Sequence, residues 1–202
     1  MPVTLFRGDV VFTADAHGTV MHTVISSAQR LGAPLSDGRA SSVHVAIATG
    51  SNLEVVEAVG GGLKKRPIHD GRYRVYHYVG EKGPLVRDCA ALVAESHFDH
   101  QSQDANFGRY NKGLAALSPF RLKSRAQNAN TQQFGQGAHC SSSFFCSNFV
   151  WRCYIAAGEA AALAQLPVEN SHSQLSPRDL ETILRLSNMW EAQNDGHAMT
   201  NP

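Results

Sequence analysis

The chain has 202 residues, 43% of them hydrophobic and 17% charged, with a formal net charge of +1. That length suits one domain with a real core, and the near-neutral balance gives no reason to expect nucleic acid or an acidic membrane as partner. The longest basic cluster, Lys64-Lys65-Arg66, reads as a solvated turn.

The N-terminus lacks a charged stretch followed by an apolar one, and no apolar run approaches the ~20 residues that span a bilayer. The expectation is a chain made in the cytoplasm without a cleaved leader, which leaves the cell, if it does, by a signal-independent route. Four cysteines, Cys89, Cys140, Cys146 and Cys153, show neither paired metal-ligand spacing nor the density of a disulfide scaffold. On one helix Cys146 and Cys153 would lie about 10 Å apart, too far to bridge.

In chain order, residues 5–13 read as a turn at Gly8-Asp9 and a short buried strand, with Asp9 orienting the turn by hydrogen bonding. Val24, Ile25, Ala28 and Leu31 suit one face of a helix over 21–31, stopped by Gly32 and Pro34. A polar loop over 36–42 leads into Val43–Ala48. Strict alternation there puts Val43, Val45 and Ile47 on one face and His44, Ala46 and Ala48 on the other. Gly50-Ser51-Asn52 signals a tight turn, and residues 53–59 return as the second strand of a hairpin, bringing Glu57 near His44. The Gly60-Gly61-Gly62 run ends that strand without phosphate-loop spacing, and Tyr73–Tyr78 is a third strand.

From Leu85 the period becomes helical to about residue 98, and 107–117 suggests a second short helix. Residues 123–139 read as a surface loop. Cys146 then opens an apolar helical pattern with Phe149, Val150, Cys153 and Tyr154, running into an alanine-rich stretch near Ala164. Ser176-Pro177-Arg178-Asp179 is a helix-start signature for a helix to about Trp190. The domain is expected over 1–192, with 193–202 a frayed tail.

A thiol at a helix N-terminus faces unpaired backbone N–H groups and the positive end of the macrodipole, which favour thiolate. Taken alone, Cys146 reads as readily as a packed core thiol. Joined with a strand histidine and an acid on the paired strand, it supplies the parts of nucleophilic acyl transfer. Cys146 would attack, His44 would carry the proton, and Glu57 would fix the imidazole, with the Cys146 backbone N–H as an oxyanion donor. Ten histidines and seventeen acids make chance triplets easy. His97 and His100 could sit as two zinc ligands on a helix, but no third is indicated, and a polar helix end is the plainer reading. Neither a metal nor another cofactor is expected. Cys89, Cys140 and Cys153 read as packed or loop thiols. Trp151 and Tyr154 read as core, while Tyr110 could line a groove.

The strings Phe6–Phe12, Ser42–Ile47 and Val55–Ala58 resemble the Gly-Asp strand, the His-Val-Gly-Ile strand and the following polar-residue strand of NlpC-type papain-like cysteine peptidases. In the common form of that family the cysteine helix precedes these strands. Here Phe145-Cys146-Ser147-Asn148-Phe149-Val150 is similar to the Cys-Ser-x-Phe-Val motif of the circularly permuted branch, which includes relatives of lecithin:retinol acyltransferase. Ser176-Pro177 resembles a segment that follows that helix. Ala46 stands where the family has Gly, and the third triad position varies in the family, with Glu54 the fallback for Glu57.

The resemblance implies an α+β, permuted papain-like fold, an antiparallel sheet packed on helices with the cysteine at a helix N-terminus. It implies a thiol hydrolase cutting peptidoglycan stem peptides. A wall hydrolase without a leader suggests an antibacterial effector, exported by a contractile secretion machine to a target cell's periplasm and met there by an immunity protein. A monomer is expected. Two alternatives stand beside this one: a lipid or thioester acyl hydrolase or acyltransferase using the same Cys-His pair, and a non-catalytic binding module.

Overall fold

A computed structural model of the protein describes residues 4–13, 44–50, 53–59, 62–68, 71–103, 109–110, 143–144, 146–168 and 176–198. The expected helix over 21–31, the loops over 36–42 and 123–139, and Cys140 lie outside the described residues.

The sheet is built outward from β1 (Val10–Thr13). Val10, Val11 and Phe12 are all buried, so this strand is covered on both faces and belongs at the centre. It pairs antiparallel with β2 (His44–Ala48) on one side and β5 (Gly71–Tyr78) on the other. Beyond β2 come β3 (Glu54–Val59) and β4 (Gly62–Pro67). Beyond β5 comes β8 (Trp190–Ala198). The order is β4-β3-β2-β1-β5-β8, antiparallel throughout. A separate two-stranded parallel pair joins β6 (Arg109–Tyr110) to β7 (Ser143–Phe144).

Among the described residues three helices complete this α+β domain: α1 (Gly83–Gln103), α2 (Cys146–Ala160) and α3 (Pro177–Leu186). Val86, Ala90, Ala91 and Ala94 line one face of α1, and Phe149, Val150, Cys153, Tyr154 and Ala157 one face of α2. Both stripes close a core with Val10, Phe12, Val45, Ile47, Val56 and Ala58 from the sheet. The opposite sheet face holds a second, smaller cluster of Val11, Ala46, Ala48, Val55 and Val75. Each strand alternates between the two clusters, as the period of two requires.

The turn before β1 depends on Gly8, whose φ is +85° and whose position would bring a Cβ to 2.3 Å from the Arg87 carbonyl oxygen. No side chain fits against that helical backbone. Asp9 shapes the same turn as expected, its Oδ2 accepting the Phe6 N–H at 2.8 Å.

Five readings are corrected. Lys64-Lys65-Arg66 is the middle of strand β4 rather than a turn, because the open edge of β3 supplies a ladder from Glu54↔Pro67 to Val59↔Gly62. Arg109 and Tyr110 form a strand against Ser143 and Phe144 within the span read as a short helix. The α2 helix stops at Ala160, short of Ala164. The last helix stops at Leu186, where Ser187 turns extended and donates its N–H back to Ile183 and Leu184. Residues 193–198, read as part of a frayed tail, continue β8 along β5. Trp190 anchors that strand, stacking edge-on with Tyr78 and Tyr154 while its Nε1 donates to the Pro167 carbonyl at 2.8 Å. The α3 start is as read: Ser176 and Asp179 form a reciprocal capping box with Pro177 in the first turn. Among the described residues no helix is long and apolar enough to cross a membrane.

Candidate active site

His44 opens β2 and Cys146 opens α2. The cysteine is held there by the apolar stripe of α2, which buries it to 2% exposure at the end of the helix-side core. The histidine belongs by alternation with Ala46 and Ala48, on the other face of the sheet. Each is the first residue of its element, and His44 is hydrogen-bonded with the Cys146 sulfur.

The β2–β3 ladder pairs Ile47 with Val56 and Ala48 with Val55. The same register continued places Ala46 opposite Glu57, so His44 and Glu57 are diagonal neighbours on one face. Their contact is short: His44 Nε2 lies 2.6 Å from Glu57 Oε2. With Nε2 committed to the carboxylate, Nδ1 is the ring nitrogen left to the sulfur. His44 is 7% exposed and Glu57 3%, so both groups sit in a low-dielectric setting where each interaction is strong.

The second carboxylate oxygen is also taken. Arg66 Nε donates to Glu57 Oε1, reaching diagonally across the β3–β4 ladder from its own partner Val55. Sequence reasoning missed this residue because β4 was read as a turn. The signal that could have found it is the glycine run itself: folding residues 54–67 as a hairpin sets Arg66 two places from the position opposite Glu57.

These contacts set the charges. Burial pulls the His44 pKa down, but the Cys146 sulfur and the Glu57 carboxylate together outweigh it and push the imidazole up to about 10. For Glu57 burial raises the pKa, and the bonds and charges of His44 and Arg66 outweigh that, holding the carboxyl at about 2. At neutral pH the ring is therefore imidazolium between a carboxylate and the sulfur.

The other singled-out residues fall elsewhere. Glu54 is the first residue of β3, of opposite parity to Glu57, and its carboxylate lies 3.8 Å from Lys65. Burial pushes the Cys153 thiol far above the ordinary range, and Trp151 and Tyr154 are core residues. The Tyr154 hydroxyl donates to the Gly8 carbonyl, tying α2 to the turn before β1. His97 packs against Phe149, its ring centroid 6.3 Å away, and burial holds its pKa at about 4. Among the described residues no three His, Cys, Asp or Glu side chains converge as metal donors. The side chain of Tyr110 lies outside those described.

No protein-family model, curated protein or solved structure matches the chain.

Proposed function

We propose that the protein is a cysteine amidase or endopeptidase of the permuted papain-like kind, acting on amide bonds of bacterial peptidoglycan stem peptides. The observation that carries this reading is His44 hydrogen-bonded at once to the Cys146 sulfur and to Glu57. A buried base joined to both a thiol at a helix start and an orienting carboxylate is the arrangement nucleophilic acyl transfer needs. The peptidoglycan substrate rests on the motif resemblance and on the order base, carboxylate, nucleophile along the chain.

In this mechanism the attacking form is a Cys146 thiolate beside the His44 imidazolium. The Cys146 sulfur adds to the scissile carbonyl carbon, forming a C–S bond and moving the carbonyl electron pair onto oxygen. The Cys146 backbone N–H, at the first position of α2 and so without an intrahelical acceptor, points at that oxyanion. His44 gives its proton to the leaving amine nitrogen as the C–N bond breaks, leaving a thioester. His44, now neutral, takes a proton from water, whose oxygen attacks the thioester. Collapse releases the carboxylic acid and restores thiolate and imidazolium. Glu57 stays ionised throughout and holds the ring in place.

Such an enzyme suits an exported antibacterial effector whose producer keeps an immunity protein. Digestion of purified peptidoglycan, read by mass spectrometry of released muropeptides, tests the reading. Cleaved stem peptides that vanish in Cys146→Ala and His44→Ala are the expected result. Cleavage persisting in both variants would sink the mechanism, and fatty-acid release from lipid micelles without muropeptide cleavage would transfer the same machinery to a lipid ester.

A further inference from the structure

We infer that Arg66 is a positioning residue of this site, a fourth member that fixes Glu57 so that Glu57 can fix His44. The inference rests on the cysteine-hydrolase reading and adds to it a residue on a different strand.

Three observations carry it. The first is geometric. Glu57 uses both carboxylate oxygens, Oε2 toward His44 Nε2 and Oε1 toward Arg66 Nε. A carboxylate held at one oxygen can still rotate about its last torsion, which is broad for glutamate. Held at both, its plane is set, and with it the direction in which Oε2 meets the imidazole. Charge-assisted bonds of this kind are the strong and directional ones.

The second is a balance of charge. In the working form Cys146 and Glu57 are negative and His44 positive, so the three together carry one net negative charge, and all three residues are buried. A buried uncompensated charge is costly. Arg66 supplies the missing positive charge, giving an alternating row of sulfur, imidazolium, carboxylate and guanidinium that sums to zero.

The third is exposure. The Glu57 side chain is 4% exposed and that of Arg66 39%. The buried carboxylate is thus paired with a partly exposed arginine, whose long side chain can cover apolar surface while its charge stays near water. Lys64, though directly opposite Glu57 in the ladder, does not take this role. The diagonal Arg66 does, through Nε.

Alkylation of Cys146 by iodoacetamide tests Arg66 without any substrate, because the rate reports how well the imidazolium supports the thiolate. Rates at neutral pH, with the labelled cysteine identified by peptide mass mapping, are compared for the wild type, Arg66→Gln and Arg66→Lys. Arg66→Gln is expected to slow alkylation by up to roughly 100-fold through misplacement of the ring. Arg66→Lys, which keeps the charge but not the planar guanidinium with its Nε donor, is expected to recover part of that loss. On stem peptides kcat should fall in Arg66→Gln while KM holds, since Arg66 acts through Glu57.

A wild-type alkylation rate in folded Arg66→Gln overturns the inference. Should circular dichroism show that variant unfolded, Arg66→Lys carries the test and a wild-type rate there overturns it. Failure of the hydrolase reading shows differently, as wild-type protein that alkylates no faster than a simple thiol or leaves peptidoglycan intact.

Discussion

His77 Nδ1 stands 2.6 Å from Asp9 Oδ1, the same separation as His44 Nε2 from Glu57 Oε2, and both carboxylates are buried. Among the described residues two histidine–carboxylate pairs thus lie on or beside the sheet, and what surrounds them decides their use. Asp9 spends its other oxygen on the Phe6 N–H, and Phe6 lies edge-on to the His77 ring at 5.4 Å. That pair closes a turn. The His44 pair instead faces a sulfur and a guanidinium.

The contrast gives the first prediction. Asp9→Asn puts an amide donor where a buried acceptor met either the Phe6 N–H or the His77 ring. The loss should be about 1–3 kcal/mol of folding stability, the usual cost of leaving a buried polar group unmet. Urea denaturation measures it. Iodoacetamide labelling of Cys146 in the same folded variant should run at the wild-type rate, and a large drop would mean that the two pairs are coupled.

The second prediction concerns pH. His44 is raised from 6.5 to about 10, so its contribution to stability is complete below about 6.5 and is lost as pH climbs through 10. Glu57 is lowered from 4.5 to about 2, so its contribution is complete above about 4.5 and is lost as pH falls toward 2. The two windows overlap between pH 4.5 and 6.5, where the pair stabilises the fold most. The strongest upward influence on His44 is the sulfur's charge. Cys146→Ala should therefore lower the imidazole titration seen by NMR, and an unchanged His44 titration in that variant would contradict the contact.

Much of the site was legible in the sequence because it follows from two periodicities. Alternation in β2 assigns His44 to the face of Ala46 and Ala48, and the Gly50 turn sets the hairpin that brings Glu57 to it. Helical spacing after Cys146 gives the start of α2. What escaped were strands whose own residues do not favour strand. β4 is half cationic and β8 rich in Glu, Gln, Asn and Asp, so each takes its conformation from an open edge of its neighbour rather than from a pattern of its own. Edge strands tolerate such residues because one side of the ladder meets water. Missing β4 also meant missing Arg66.

Thiol selectivity supplies the third prediction. Cys146 and Cys153 are both buried and Cys89 is partly so. Burial pushes the Cys153 thiol far above its ordinary range, which keeps it protonated and unreactive at neutral pH. Limited iodoacetamide treatment followed by peptide mapping should label Cys146 first and leave Cys153 unmodified. Preferential labelling of Cys153 would reverse the assignment of the nucleophile.

The fourth prediction separates the two acids of β3. Glu57 and Glu54 have opposite parity on the strand, so one faces His44 and the other reaches Lys65, which in turn lies 3.0 Å from Glu95 on α1. Glu57→Gln keeps the shape but removes the charge that stabilises imidazolium, and its amide can present a donor to Nε2. Turnover should fall on the order of 10²–10⁴-fold, the range seen when a base loses its orienting acid or its protonation state. The alkaline limb of the rate profile should move down from about 10, because the carboxylate's share of the upward shift is gone. Glu54→Gln removes a half-exposed carboxylate from a surface ion-pair network, worth at most about 1 kcal/mol. Its turnover and its alkaline limb should match the wild type. If Glu54→Gln moved that limb and Glu57→Gln did not, the orienting role would pass to Glu54 and the diagonal contact between His44 and Glu57 would have no part in catalysis.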